Sequence, residues 1–408
     1  MDNLGNMVNE KVDKESKNKL FWANLTYLII ITLFIIWRLI YSTGLFENLT
    51  GFFSDYLFSL VTQIFILLLI PMTIYLFILK KKPKKLMQDF GFRKVSFKTI
   101  LLSILFGFLA YYIIIFVSTF FSGIISLFGY EKPVTLTTSD ETYGSFGAFL
   151  LGILMVAVLP GIFEEFVHRG MLLRGYQKLG AKRAIIFSGL LFGLMHVNIN
   201  QFFYAFVIGM IFAIIALATK SIFPSMIIHF MNNGLNVYQT YASENNWFGQ
   251  NLGDWINLSF LDSNIALKFI VYVIVLLLIV VLSGIVILKM FIIEKNRQFN
   301  VYAKKVALDE NGELHDEETI KSLIKIFWQA DTTGKIDFDE NDANKNSQIN
   351  EPNISINNRK KELNYYNILF PPRQEDKYKP SFKENIFLYL AIFIGGVGTL
   401  FTFIWGLL

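Results

Sequence analysis

The sequence predicts an all-α, polytopic membrane helix bundle of about eight to nine transmembrane segments, with one cytoplasmic insert close to its C-terminus. Three observations predict it. The 408-residue chain is 54% hydrophobic and only 17% charged, with a mean hydropathy of +0.47, whereas soluble domains are about one quarter charged. Eight apolar runs reach the roughly 20 residues that a helix needs to cross the hydrocarbon core of a bilayer. One stretch, 294–384, breaks the pattern and is rich in Lys, Glu, Asp and Asn.

In chain order, a mixed-charge leader (1–19) precedes the first run, 20–41. No small-residue cleavage site follows this run, which marks an uncleaved helix rather than a signal peptide. The run 56–79 and the first part of the basic loop "KKKPKKLMQDFGFRKVSFK" (80–98) complete the segment 20–90. A core, 91–240, holds runs at 99–128, 144–170, 202–219 and 222–242 and a shorter one at 184–197. An outer loop and the run 266–292 fill 241–293, and 385–408 carries the last run. Lys and Arg concentrate in 80–98, 174–183, at Lys220 and after 293, while 42–56 and 241–264 contain neither. The positive-inside rule places the basic set and the N-terminus in the cytoplasm. The insert 294–384 reads as partly helical around Glu317–Trp328 and disordered around 341–362. Its "QADTTGKIDFDE" (329–340) has some of the spacing of a calcium loop, but Gln329 stands where a carboxylate is expected, so an ordinary turn is the better reading.

Absence of Cys excludes disulfides, thiolate nucleophiles and Cys-ligated metals. The net charge of +5 is modest and gives no sign of nucleic-acid binding. Ionisable groups inside a bilayer are costly and normally face a cavity or a partner, so the polar residues within apolar runs carry the functional signal. In "PGIFEEFVHRGMLLRG", Glu165 and Arg169 lie four apart on one helical face and can pair. Glu164 points about 100° away, without that cation, and is available as a general base. The alternative is a helix end whose charges reach the interface. His196 closes a short apolar segment with Phe192 one turn earlier on the same face, a placement that also suits simple packing. His229 and Asn233 share a face of "PSMIIHFMNNGLN", with Asn232 and Asn236 nearby. They could serve as paired donors to an oxyanion or as inter-helix hydrogen bonds. His168 points elsewhere and receives no catalytic role; His315 lies in the insert. At 1.5 Å per residue, Glu164 lies about 15 Å from Arg174, His196 about 20 Å from Arg183 and His229 about 13 Å from Lys220. The three groups therefore share one shallow layer on the basic side.

The ordered set Glu164-Glu165-Phe166-Val167-His168-Arg169, then Phe192 to His196, then His229 to Asn233, resembles the CPBP family of intramembrane glutamic proteases. That family includes the Rce-type CAAX prenyl endopeptidases and the bacterial Abi-domain proteins. The resemblance covers about residues 90–240; His168 departs from it, since an aromatic is expected before the arginine. It implies a peptide-bond hydrolysis in which Glu164 activates water, His196 binds or polarises it, and His229 and Asn233 stabilise the oxyanion. Glu165, Arg169 and Phe192 would support them, with no cofactor and no metal. Three other readings compete. A zinc-dependent membrane protease would use His196, His229 and a Glu as ligands, but no H-E-x-x-H is present. A non-catalytic scaffold or regulator would keep the core and use the insert. A transporter would want repeated, broken midplane helices. The implied partners are the lipid bilayer, a membrane-associated protein or peptide substrate, and a protein that docks on 294–384. The bias toward Phe, Ile, Asn and Lys is that of a low-GC bacterium. Bacterial members of the family are associated with peptide maturation and bacteriocin immunity.

Overall fold

The computed structural model describes residues 2–46, 48–49, 52–130, 143–256, 258–306 and 381–407. Among the described residues every regular element is a helix, and nine are long. They are α1 (Asp2–Ser42), α2 (52–78), α3 (Phe97–Ser126), α4 (Phe146–Tyr176), α5 (Ala181–Met195), α6 (Ile199–Thr219), α7 (Phe223–Glu244), α8 (Ile265–Val306) and α9 (Phe382–Leu407). Residues 294–306 continue α8 as a helix. Most of the insert, with the helix expected around Glu317–Trp328, the disorder expected at 341–362, the turn at 329–340 and His315, lies outside the described residues.

Local chemistry starts these helices. Ser96 and Ser145 cap α3 and α4 by accepting from the amides of Lys98 (3.2 Å) and Ala148 (3.1 Å), and Asn198 caps α6 through Asn200 (2.9 Å). Pro224 opens α7, where its missing N–H costs nothing. Seven of the described helices are long and apolar enough to cross a bilayer. The other two are α5, which has only 15 residues, and α7. These two bear part of the candidate polar set, with His229 and Asn233 on α7 and His196 at the end of α5, while Glu164, Glu165 and Arg169 lie on the spanning helix α4. This is a multi-pass membrane protein, and α8 turns Phe269, Ile270, Ile274, Leu277 and Val281 outward as a lipid-facing apolar belt.

The basic segments come together at one end of the bundle. The Ile222 amide donates to the Gly91 carbonyl (3.0 Å), and Ser221 Oγ donates to that of Arg93 (2.6 Å). Fully buried Glu294 of α8 accepts from the Ser96 amide (2.7 Å), Thr99 Oγ1 (2.6 Å) and Arg297 Nε (2.8 Å). Gly175 lies against the start of the membrane part of α1, near Lys19 and Ala23. At the opposite end, the Tyr143 amide donates to Glu244 (2.6 Å) and Asn245 Nδ2 to the Tyr143 carbonyl (3.0 Å).

α5 and α6 form a tight hairpin through glycine. A Cβ on Gly189 would meet Met210 N and Phe206 O at 3.0 Å, and one on Gly193 would meet Phe202 O at 2.9 Å. This small-xxx-small stripe lets two backbones approach where no hydrophobic effect drives them together. α9 closes over the hairpin tip, where Gly398 lies against Val197 and Thr402 Oγ1 accepts from the Ile199 amide (3.0 Å). Gly189→Val should force α5 and α6 apart and cost about 1–3 kcal/mol. Thermal unfolding in detergent should fall by several degrees; an unchanged midpoint would show that the hairpin does not depend on this approach.

Candidate active site

Two helices, α2 and α4, contain π-wound stretches, and both lead to the site. In α2 the stretches are Val61–Leu69 and Ile74–Ile78, and in α4 they are Ile153–Val158 and Phe166–Leu172. The first stretch of each helix is followed within two residues by a proline, Pro71 or Pro160. A proline inside a helix has no N–H to give and crowds the carbonyl one turn back, and loosened winding relieves both problems. In α4 the carbonyls left over are those four and five residues before Pro160. Both are taken by neighbouring helices: Asn233 Nδ2 of α7 donates to the Val156 carbonyl (2.8 Å), and Ser59 Oγ of α2 to the Met155 carbonyl (3.1 Å). Pro160 thus fastens α4 between α2 and α7. Gly161, with the Phe230 amide nitrogen only 3.3 Å from where its Cβ would stand, allows α7 to pack close.

The adjacent carboxylates that follow have different surroundings. Glu165 is fully buried, and its Oε1 accepts from Arg169 Nη1 (3.0 Å) and contacts His229 Nδ1 (3.2 Å). Arg169, also fully buried, donates through Nη2 to the Gly209 carbonyl of α6 (2.8 Å). Its guanidinium lies 4.5 Å from the Phe192 ring centre and 5.1 Å from that of Phe212, in cation–π contact. Glu164 faces away from this pair. Its side chain keeps 13% exposure; Oε1 accepts from Gln63 Nε2 of α2 (3.0 Å), and Oε2 lies 3.9 Å from His229 Nε2. Of the two carboxylates, Glu164 is the one a small molecule can reach.

Phe192 organises the aromatic side of the site. Its ring meets those of His168, His196 and His229 edge-on at 5.0, 5.3 and 5.7 Å. His196 ends α5; its carbonyl accepts from Arg38 Nη1 of α1 (2.9 Å), and the residue lies within electrostatic reach of Glu164 and His229. His168, the departure from the expected aromatic, still packs as one. It sits edge-on to Tyr27, and its Nδ1 contacts the Glu164 carbonyl at 2.8 Å. Among the described residues, no group of three or more His, Cys, Asp or Glu is set out to hold a metal ion.

The structure therefore brings Glu164, Glu165, Arg169, Phe192, His196, His229 and Asn233 into one layer of the bundle. It adds Gln63, Tyr27 and Arg38, none of which stood out in the sequence. The available signal for Gln63 was a single amide in the middle of an apolar run, followed eight residues later by Pro71.

Residues 146–235 match the family model described as Type II CAAX prenyl endopeptidase Rce1-like. No curated protein and no solved structure matches the chain. The matched segment runs from the first residue of α4 into α7 and contains all seven residues of the sequence-derived set; Gln63, Tyr27 and Arg38 lie outside it.

Arg169→Met should destabilise the bundle by about 3–5 kcal/mol, because it strands the Glu165 charge in a dry interior. The double variant Glu165→Gln/Arg169→Met should regain a good part of that loss in the same detergent melt. A double variant that melts no higher than the single would mean that packing on Phe192 and Phe212, not charge pairing, sets the cost.

Proposed function

Residues 146–235 match the Rce1-like model of CAAX prenyl endopeptidases, and from that match we propose that this multi-pass membrane protein is a protease of the metal-independent glutamic type. It hydrolyses a peptide bond of a membrane-associated protein or peptide with no covalent intermediate. The observation that carries the reading is the run Glu164–His229–Glu165–Arg169. One reachable carboxylate faces an imidazole, and that imidazole is tethered on its other nitrogen to a buried, arginine-paired carboxylate.

Each step follows from this layout. Glu164, oriented by Gln63, takes a proton from water, and the water oxygen attacks the scissile carbonyl carbon. The carbonyl π electrons move to its oxygen, and this oxyanion needs donors placed in advance. His229 directs Nδ1 at Glu165, which leaves Nε2 facing the reaction space. Nε2 is the ring nitrogen placed to donate to the oxyanion, while Nδ1 is held by the Glu165 carboxylate. Asn233 spends one amide hydrogen on the Val156 carbonyl and has a second for the oxyanion. His196 polarises the water from the opposite side. Collapse of the tetrahedral intermediate breaks the C–N bond, and Glu164 returns its proton to the departing amine. No step passes through a metal or a cofactor.

The proposed orientation puts the basic end, the N-terminus and 294–384 in the cytoplasm, where the insert can engage a protein partner. In a low-GC bacterium the role is peptide maturation or bacteriocin immunity.

The test is cleavage of a membrane proteome by purified protein with and without chelator. Glu164→Gln should lower turnover by about 10²–10⁴-fold, the usual worth of a general base, and chelator should leave the wild type unchanged. Loss of activity with chelator would make His196 and His229 metal ligands instead. Gln63→Leu should lower kcat about tenfold with KM little altered, since it removes one hydrogen bond that orients the base; an unchanged kcat would remove Gln63 from the machinery.

A further inference from the structure

The polar residues of α7 do not stop at the site. His229, Asn232, Asn233, Asn236, Thr240 and Ser243 follow one another at spacings of one, three or four residues. At 100° per residue, all fall within one sector of the helix, about 100° wide. The rest of the circumference is largely apolar and carries Met226, Ile228, Phe230, Met231 and Val237. The Phe230 backbone lies against Gly161 of α4 and Met231 against Gly107 of α3, while the polar sector itself meets α4, where His229 contacts Glu165 and Asn233 the Val156 carbonyl.

Burial falls steadily along the stripe. Asn232 is 4% exposed; Asn233, Asn236 and Thr240 are half-buried, and Ser243 is exposed. At its outer end, Gln239, Thr240 and Ser243 join Asn251 and Asp254 in lining a polar cavity of 520 Å³. This cavity lies at the end of the bundle opposite the basic segments. At the inner end, both amide atoms of Asn232 are buried without a hydrogen-bond partner. His229, Asn233 and Thr240 bond Glu165 and the Val156 and Asn236 carbonyls, so the call for water or a ligand comes from Asn232, since a buried amide with neither atom bonded is costly.

We propose that this stripe is a peptide track, a hydrophilic route that leads an extended segment of the substrate from the non-basic end of the bundle to Glu164 and His229. The inference rests on the protease reading for what happens at the end of the track. The chemistry selects a peptide over a lipid chain. Asn and Gln side chains carry donor and acceptor together, and Ser and Thr hydroxyls do the same. An extended backbone presents an unpaired N–H and C=O at each residue and cannot enter a bilayer interior without such partners. From His229 to Ser243 the stripe is about 21 Å long at the helical rise, which fits about six extended residues. Entry from this end differs from the basic-side access that the depth arithmetic implied.

The chain has no cysteine, so single thiols test the proposal directly. Asn236→Cys, Thr240→Cys and, as a control on the packed face, Val237→Cys would each be placed in a Glu164→Gln background and reconstituted in liposomes. A membrane-impermeant thiosulfonate would then be applied from each side. Asn236→Cys and Thr240→Cys should react at least tenfold faster than Val237→Cys, and only from the side of residues 244–262. An acetylated, amidated Leu-Ala octapeptide should slow labelling of Thr240→Cys several-fold, while oleate should not. Labelling of Asn236→Cys from the basic side alone, or at the rate of the control, would overturn the route. Protection by oleate, or none by the octapeptide, would overturn the peptide occupant. Neither readout requires cleavage, so failure of the wild type to cut any peptide would refute the protease reading separately and leave the labelling pattern standing.

Discussion

The buried pair of Glu165 and Arg169 is the constraint around which the rest of the site is arranged. Two charges taken fully out of water repay their desolvation only when each is bonded on several sides. Here the guanidinium meets a carboxylate, a backbone carbonyl of α6 and two aromatic faces, from Phe192 and Phe212. The carboxylate meets the guanidinium and an imidazole of α7. Satisfying the pair draws α4, α5, α6 and α7 together, and it also fixes the imidazole that faces Glu164.

The second constraint comes from proline. Pro160 takes hydrogen-bonding capacity from its own helix, and the chain uses the surplus carbonyls as attachment points for Ser59 and Asn233. A locally unfavourable residue becomes a joint between three helices. Asn233 consequently has its side-chain plane set by its bond to the α4 backbone, a preorganisation that the proposed oxyanion role would use.

The layer that holds Glu164 and His229 is completed from outside the matched segment. α2 supplies Gln63 to Glu164, α1 supplies Arg38 to the carbonyl of His196, and α9 seals the tip of the α5–α6 hairpin through Gly398 and Thr402. A domain of four helices is in this way held by three more. Fully buried Glu294 fastens the far end of α8 to the start of α3, so the polypeptide leading into 307–380 begins on a rigid helix.

Much of this was legible in the chain. Apolar runs of bilayer length gave the helices and their order, because a helix satisfies its own backbone and its length is set by the membrane. Lys and Arg placement grouped the segments that the structure gathers at one end. The spacings Glu165 to Arg169, Phe192 to His196 and His229 to Asn233 could be read because each lies within four residues on one helix. Contacts between helices could not be read in this way. Gln63 and Glu164 are 101 positions apart and His229 and Glu165 are 64 apart, and helical periodicity says nothing about which faces meet. The sequence by itself determined what each helix carries. Only the tertiary structure decided which carboxylate is sealed by Arg169 and His229 and which stays reachable, because that depends on how Gly161, Gly189 and Gly209 let the backbones approach.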